Sequence, residues 1–264
     1  SKIYAGFWVA DYDFVDEYCG YLQSIDGLEG KVKDSYFKGY DNNTHASIGQ
    51  NGIFYVVASG TVQTFNPNLT SKWSKNIGSL VKDSFQSDPV FGQNGELYLI
   101  TTSGQLAAFD FNGNPFDVNG NLLWITSKKY VSPPVIDTKG TLYVGNEALN
   151  HTNGKVAWSN PNINSVSGAA IASNDRLYLF GTSGLFALNA TNGTILWKLT
   201  QDSELKNEIN PANLTVGSDG TLYFCNNTNN TVYAVYGDSP LDKNAAWPIL
   251  RHDNQRTGNW NMGK

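Results

Sequence analysis

Helical periodicity, long apolar runs, cysteine and positive charge are what this chain has least of, and each scarcity removes a class of protein. No stretch sustains the 3.6-residue rhythm of an amphipathic helix. No apolar run approaches the length of a membrane span. The 18 Lys and Arg are outnumbered by 23 Asp and Glu, a net charge of −5, so the basic surface that nucleic acid requires is missing. Histidine occurs three times, as His45, His151 and His252. His151 stands at a variable turn position and His252 in the C-terminal tail, so no joint zinc site is expected. Charged residues amount to 16% of the chain, while 40% is hydrophobic and 13% aromatic, enough for a large core. Asn, Gly, Ser and Thr are plentiful, as a turn-rich β architecture requires.

The most informative feature present is a repeat. Ala148-Leu149-Asn150-His151-Thr152-Asn153-Gly154-Lys155-Val156-Ala157-Trp158 returns as Ala187-Leu188-Asn189-Ala190-Thr191-Asn192-Gly193-Thr194-Ile195-Leu196-Trp197. Upstream of each copy lies a strand-turn-strand signature that ends in tyrosine. That tyrosine recurs as Tyr4, Tyr55, Tyr98, Tyr143, Tyr178 and Tyr223. Before most of them stands a turn such as Asn51-Gly52, Asn94-Gly95, Lys139-Gly140 or Asp219-Gly220, whose glycine supplies the positive φ of a tight hairpin. A third strand follows, as in Leu106–Phe109 and Leu185–Leu188, and a fourth ends in tryptophan at Trp73, Trp124, Trp158, Trp197 and Trp247.

Four short antiparallel strands per repeat make one propeller blade. The chain is therefore expected to be all-β, a single β-propeller domain over residues 1–264. Six blades of about 44 residues account for its 264 residues; a seven-bladed ring is the alternative and needs a repeat not visible in the sequence. The first repeat begins at its second strand, Lys2–Gly6, without a Met, which reads as a processed or trimmed chain. Its innermost strand is expected from the tail after Trp247, so that mixed N- and C-terminal strands close the ring and remove exposed sheet edges. Cys19 and Cys225 fall near that joint and are candidates for a disulfide. The alternative is a buried free thiol at Cys225, which stands two residues after Tyr223 where other repeats place Val57, Ile100 and Phe180.

At the eleven-residue motif the resemblance becomes specific. Ala-x-Asn-x-x-Asn-Gly-x-x-x-Trp resembles the tryptophan-docking motif of the PQQ-like (quinoprotein) β-propellers. The third repeat keeps Gly120 and Trp124; the first has Ser24-Ile25-Asp26 and Gly30 but no Trp. The tail Trp247-Pro248-Ile249-Leu250-Arg251-His252-Asp253-Asn254-Gln255-Arg256-Thr257-Gly258 is similar to a segment common at the ends of such repeat proteins. The family includes quinone-dependent dehydrogenases and the propeller lipoprotein of the outer-membrane barrel assembly machine. The resemblance implies that the tryptophans are structural, each docking on a neighbouring blade. Dehydrogenase members hold the quinone beside a vicinal cysteine pair and a calcium ion, and neither set is matched here. No cofactor, metal site or catalytic residue is therefore expected. A degenerate quinoprotein dehydrogenase or a sugar-active propeller is the alternative.

Local motifs have plain explanations. Asp110, Asn112 and Asn114 have the alternate spacing of a calcium loop, but Pro115 stands where Gly is needed and the bidentate Glu is absent. Asn189-Ala190-Thr191 and Asn226-Asn227-Thr228 satisfy the glycosylation pattern, and turn chemistry accounts for them as well. One segment resists: Phe7-Trp8-Val9-Ala10-Asp11-Tyr12-Asp13-Phe14-Val15-Asp16-Glu17-Tyr18-Cys19, read as a long loop on one propeller face where other repeats use a few small residues. Aromatics stack on sugars or apolar groups, and carboxylates accept bonds from hydroxyls or basic residues. Trp8, Asp11, Tyr12, Asp13 and Phe14 are the candidate binding residues, against the alternative that the aromatics cover the joint between blades. The expected protein is an exported binding or scaffold module, periplasmic, cell-surface or secreted and monomeric, with a protein or glycan partner. It is alternatively one domain of a larger surface protein. The ligand itself is not legible.

Overall fold

The computed structural model describes residues 2–10, 18–26, 32–39, 45–50, 52–58, 60–110, 121–163, 167–181, 183–200, 214–226, 231–254 and 256–261, with side chains from His45 onward save Ser167 and Asn226. These residues form six antiparallel sheets and one four-residue helix, α1, at Gly78–Val81. The first sheet holds β1 (Lys2–Ala10), β2 (Tyr18–Asp26) and β3 (Val32–Gly39). The second holds β4 (His45–Ile48), β5 (Phe54–Ala58), β6 (Thr61–Phe65) and β7 (Ser71–Asn76). The third holds β8 (Val90–Phe91), β9 (Leu97–Ile100), β10 (Gln105–Asp110) and β11 (Asn121–Lys129). The fourth holds β12 (Val135–Ile136), β13 (Leu142–Val144), β14 (Glu147–Leu149) and β15 (Val156–Ser159). The fifth holds β16 (Ser167–Ala172), β17 (Arg176–Gly181), β18 (Gly184–Asn189) and β19 (Ile195–Thr200). The sixth holds β20 (Thr215–Val216), β21 (Leu222–Asn226) and β22 (Thr231–Val235).

Within each sheet the strands follow chain order, the meander of a propeller blade. Tyr55, Tyr98, Tyr143 and Tyr178 stand on second strands; Trp73, Trp124, Trp158 and Trp197 stand on fourth strands, so the repeat read from the sequence is the sheet seen in space. Each Tyr meets the Trp of its own sheet, with ring centroids 6.1, 5.9, 6.0 and 5.8 Å apart in chain order. The connection between β13 and β14 is a two-residue turn at Gly145-Asn146, with Gly145 at φ +57°. Of the Asn-x-Thr pairs, Asn189 opens a turn, its Oδ1 accepting the Thr191 N–H at 2.9 Å, as Asn150 Oδ1 accepts that of Thr152 at 2.8 Å; Asn227 and Thr228 lie outside the described residues.

Tryptophans join the third sheet to the fourth and the fourth to the fifth. Trp124 Nε1 donates to the His151 carbonyl at 2.8 Å and its ring lies on Gly154; Trp158 Nε1 donates to the Ala190 carbonyl at 2.9 Å and its ring lies on Gly193. A Cβ on Gly154 would stand 2.6 Å from the Trp124 ring, and one on Gly193 2.4 Å from that of Trp158. That close approach is why the motif requires glycine before its tryptophan: the glycine receives the ring of the preceding sheet. The sixth sheet lacks such a tryptophan, and Tyr223 is left 41% exposed.

Two expectations are corrected, and a third is not met among the described residues. The segment 7–19 is not one loop: Phe7–Ala10 and Tyr18–Cys19 continue the β1–β2 hairpin in register, Trp8 opposite Gly20, leaving 11–17 between the strands. Trp247 is not on an outer strand. It belongs to a tail that lies against first strands, where its backbone pairs with Ile136 of β12 and its ring is buried. Closure by the tail pairing with Lys2–Gly6 is also not what the described residues show. The first sheet contains β1, β2 and β3, and the tail's bridges go to β4, β12 and β16 instead.

Candidate functional site

The hub is where the tail meets the first strands. Ile136 and Trp247 exchange both backbone bonds, at 2.8 and 3.0 Å; Ile171 N–H donates to the Pro248 carbonyl at 2.7 Å. Ile48 N–H donates to the Gly258 carbonyl at 2.7 Å, and the Ile48 carbonyl accepts from Trp260 N–H at 3.0 Å. Asn254 uses its side-chain amide as a surrogate strand, donating to the Val216 carbonyl at 2.7 Å and accepting its N–H at 3.3 Å. Arg256 reaches the carbonyls of Leu250 and Leu214 at 2.8 and 2.5 Å, and burial pushes its guanidinium pKa down. Turns with Arg251, His252 and Arg256 at positive φ let the tail change direction this often in so few residues. Trp247 and Trp260 join the apolar cluster of the second to fourth sheets, Ala245 that of the fourth and fifth, and Ile249 that of the fifth and sixth. One segment thus stitches every core of the described sheets from the second on, except the small cluster around Phe54 and Phe65.

Polar groups ring this hub. Asp88 lies between His45 Nδ1 at 3.4 Å and Arg251 Nε at 3.6 Å, tying the second and third sheets to the tail. His252 is buried between the rings of Trp247 and Trp260, with centroids 5.0 and 6.0 Å away. Asp253 accepts from the backbone and hydroxyl of Thr257. The three histidines stand in three settings, since His151 faces Glu96 at 3.4 Å. Among the described residues no three His, Cys, Asp or Glu side chains gather to hold a metal ion.

His151 and Glu96 belong to a small pocket of about 50 Å³ between the third and fourth sheets, also lined by Gly92, Gln93, Tyr98 and Lys139. Tyr98 is fully buried, and its hydroxyl has no protein hydrogen-bond partner; burial, reinforced by Glu96, raises its pKa far above the usual phenol value. Its counterparts are satisfied: Tyr143 donates to Asp137 at 3.0 Å and Tyr178 to Asp238 at 2.8 Å. Aligning the repeats explains the difference, because Gly92 stands where the fourth repeat has Asp137 and Glu96 where it has Thr141. The Glu96 carboxylate fills the vacated place, 2.3 Å from where a Gly92 Cβ would be. At about 10–15 Å³ per water the pocket has room for roughly three or four, and it offers them a phenol donor and a carboxylate. Repeat alignment was the sequence signal that could have found it.

Of the residues singled out from sequence, Trp73 and Trp124 are buried, and Trp158 and Trp197 half-buried at their joints. Asp11, Tyr12, Asp13 and Phe14 lie outside the described residues, as does the side chain of Trp8, whose backbone is in β1. Cys225 is a free, half-buried thiol on β21, and the side chain of Cys19 lies outside the described residues. Asn112, Asn114 and Pro115 of the calcium-like spacing lie outside them too.

Residues 114–238 match the sequence profile of the family described as outer membrane protein assembly factor BamB. The PQQ-like propeller repeat is the family this chain resembles. Among solved structures, BamB from Moraxella catarrhalis is similar with a TM-score of 0.56 and 16% identity, over 94% of this chain and 76% of that one. PorZ of Porphyromonas gingivalis, an essential bacterial surface component of the type-IX secretion system, is similar with a TM-score of 0.62 and 12% identity. That match covers 84% of this chain and 37% of PorZ. Likeness at such identities speaks for the fold. No curated protein sequence matches the chain. Among the described residues no helix is long and apolar enough to cross a membrane.

Proposed function

We propose that the chain is a non-catalytic, exported propeller of six blades, one per sheet, that acts as a monomeric binding or scaffold module for a protein or glycan partner. The carrying observation is the filled hub. Trp247, Ile249 and His252, all buried, occupy the region where first strands approach one another. A propeller packed along its axis with its own chain presents its loops and outer edges to partners. BamB is named as an assembly factor and PorZ as a component of a secretion system at the bacterial surface, which favours an exported scaffold over an enzyme.

The β1–β2 hairpin is the favoured contact. Its strands have nine residues each, where second strands elsewhere have three to six, so it projects roughly 10 Å further at about 3.3 Å per residue. Long connections on a rigid scaffold are where binding concentrates. Trp8, Asp11, Tyr12, Asp13 and Phe14 are its recognition residues, suited to hydroxyl-rich or basic groups. The test measures Trp8→Ala and Asp11→Asn/Asp13→Asn for melting temperature and for binding to glycan arrays and host-lysate partners. Unchanged melting with lost binding supports the proposal; lowered melting with unchanged binding leaves the hairpin a structural cover. Reconstitution with PQQ and calcium should give no dye-linked oxidation of alcohols or aldoses, and turnover there would restore the dehydrogenase alternative.

A further inference from the structure

Charge is sorted by strand in the four-stranded sheets. The outer strands of the four-stranded sheets, β7, β11, β15 and β19, carry Lys72, Lys75, Lys128, Lys129 and Lys198 without one Asp or Glu, although the chain as a whole has more acids than bases; β3, last in the first sheet, carries Asp34 beside Lys33 and Lys38. Lys155 directly precedes β15. Carboxylates sit instead at turns between first and second strands, where Glu96, Asp137 and Asp219 accept backbone N–H groups. Of the basic edges, β19 is also the most apolar: Ile195 and Leu196 are 38% and 44% exposed. From Leu196 to Thr200 its side chains alternate between exposed and half-buried, with Trp197 and Leu199 half-buried and Lys198 exposed, its ammonium 5.1 Å from the centre of the Phe186 ring on β18. Among the described residues β19 pairs only with β18.

We infer that the outer edge of β19 receives an extended, acidic segment of a partner protein as a fifth strand of the fifth sheet. An outer strand with one neighbour presents a row of backbone donors and acceptors that only another extended chain can match residue for residue. The side chains set the chemistry of that chain. Opposite Lys198 a carboxylate is favoured and a lysine disfavoured, because cross-strand charges face each other at about 5 Å. Beside Leu196, and against the half-buried Trp197 and Leu199, apolar residues are favoured. A second copy of this chain would bring its own Lys198 to the contact, so the charge that turns away self-pairing admits an acidic stranger. This inference rests on the scaffold reading and adds to it the class of partner, at a surface separate from the β1–β2 hairpin.

The test uses the full chain and a blocked peptide of alternating valine and glutamate, about ten residues long, a usual strand length, with a valine–lysine peptide as control. Fluorescence anisotropy should show binding of the acidic peptide alone. Lys198→Glu should weaken it about tenfold at unchanged melting temperature, Lys198→Arg should keep it, and added salt should reduce it. Hydrogen exchange should slow in β19 on binding. Equal binding of both peptides, no binding, or indifference to Lys198→Glu would overturn the inference. So would β19 amides as protected as those of β18 before peptide is added, which would mean another part of this chain covers the edge, or a dimer that protects β19. Loss of partner capture by Trp8→Ala with none by Lys198→Glu would retire this inference and leave the broader proposal standing.

Discussion

Replacing Gly193 by alanine probes the joint between sheets at its tightest point. The new Cβ would stand 2.4 Å from Cε3 and 2.7 Å from Cδ2 of Trp158, where carbon atoms prefer about 3.5–4 Å, so the indole must retreat by roughly 1 Å. Gly193 sits at φ +73°, a conformation that costs an L-residue about 1–2 kcal/mol. Retreat also weakens the 2.9 Å bond from Trp158 Nε1 to the Ala190 carbonyl, worth about 1 kcal/mol, and loosens part of the ring's packing. Gly52 separates the terms, since it has nearly the same backbone at φ +71° and nothing within 4 Å of its Cβ position. In urea titrations Gly52→Ala should cost about 1–2 kcal/mol and Gly193→Ala about 2 kcal/mol more. Trp158→Ala should cost about 2–4 kcal/mol, somewhat below the usual figure for a fully buried ring because this one is half-buried. In the Trp158→Ala background Gly193→Ala should fall to the cost of Gly52→Ala. Equal costs for the two glycines in the intact protein, or strict additivity with Trp158→Ala, would refute the docking account.

Removing residues 248–264 should abolish cooperative unfolding, because Ile249 and Trp260 are buried and their loss alone forfeits roughly 6–8 kcal/mol, comparable with the whole stability of a domain; circular dichroism melts would show it. Gly92→Asp with Glu96→Thr should recreate the Asp137–Thr141–Tyr143 arrangement, give Tyr98 its partner and raise stability by about 1 kcal/mol, whereas an unchanged or lower urea midpoint would count against the alignment. Burial raises the Tyr178 phenol, aided by Asp238, to about 12, and raises Tyr98, Tyr130 and Tyr143 further. With folded values above the unfolded value near 10, the stability they confer is whole below pH 10 and lost as pH rises through the folded values, so their phenolate absorbance should grow only with unfolding. Smooth titration of every tyrosine near pH 10 in the folded protein would contradict it.

Much of the architecture was legible because the repeat carries its own punctuation. Tyrosine after a tight turn and tryptophan after glycine mark second and fourth strands, and Tyr98, Tyr143, Tyr178, Trp124, Trp158 and Trp197 lie as that grammar places them. The tail was misread for a physical reason: Trp247 follows a blade-like interval and looks like one more outer-strand tryptophan. What sends it to the hub is the joint demand of four sheets for backbone partners at their first strands, a property of the assembled sheets that no local residue announces. Phe7–Ala10 read as loop because other repeats use a few small residues at that connection, although its aromatic and β-branched residues favour strand. The Tyr98 pocket was visible only as a substitution between repeats, Gly92 for Asp137. The β19 edge required the sheets themselves, since exposure of Ile195 and Leu196 follows from being outermost.

The central claim is that the chain's own tail fills and fastens its hub, leaving the rim for partners. Amide hydrogen exchange resolved to residues 245–261 tests it directly. Trp247 and Trp260, with their partners Ile136 and Ile48, should exchange only through global unfolding, at rates like those of β9 and β17. Tail amides that exchange freely while β9 and β17 stay protected would show an open hub and contradict the account.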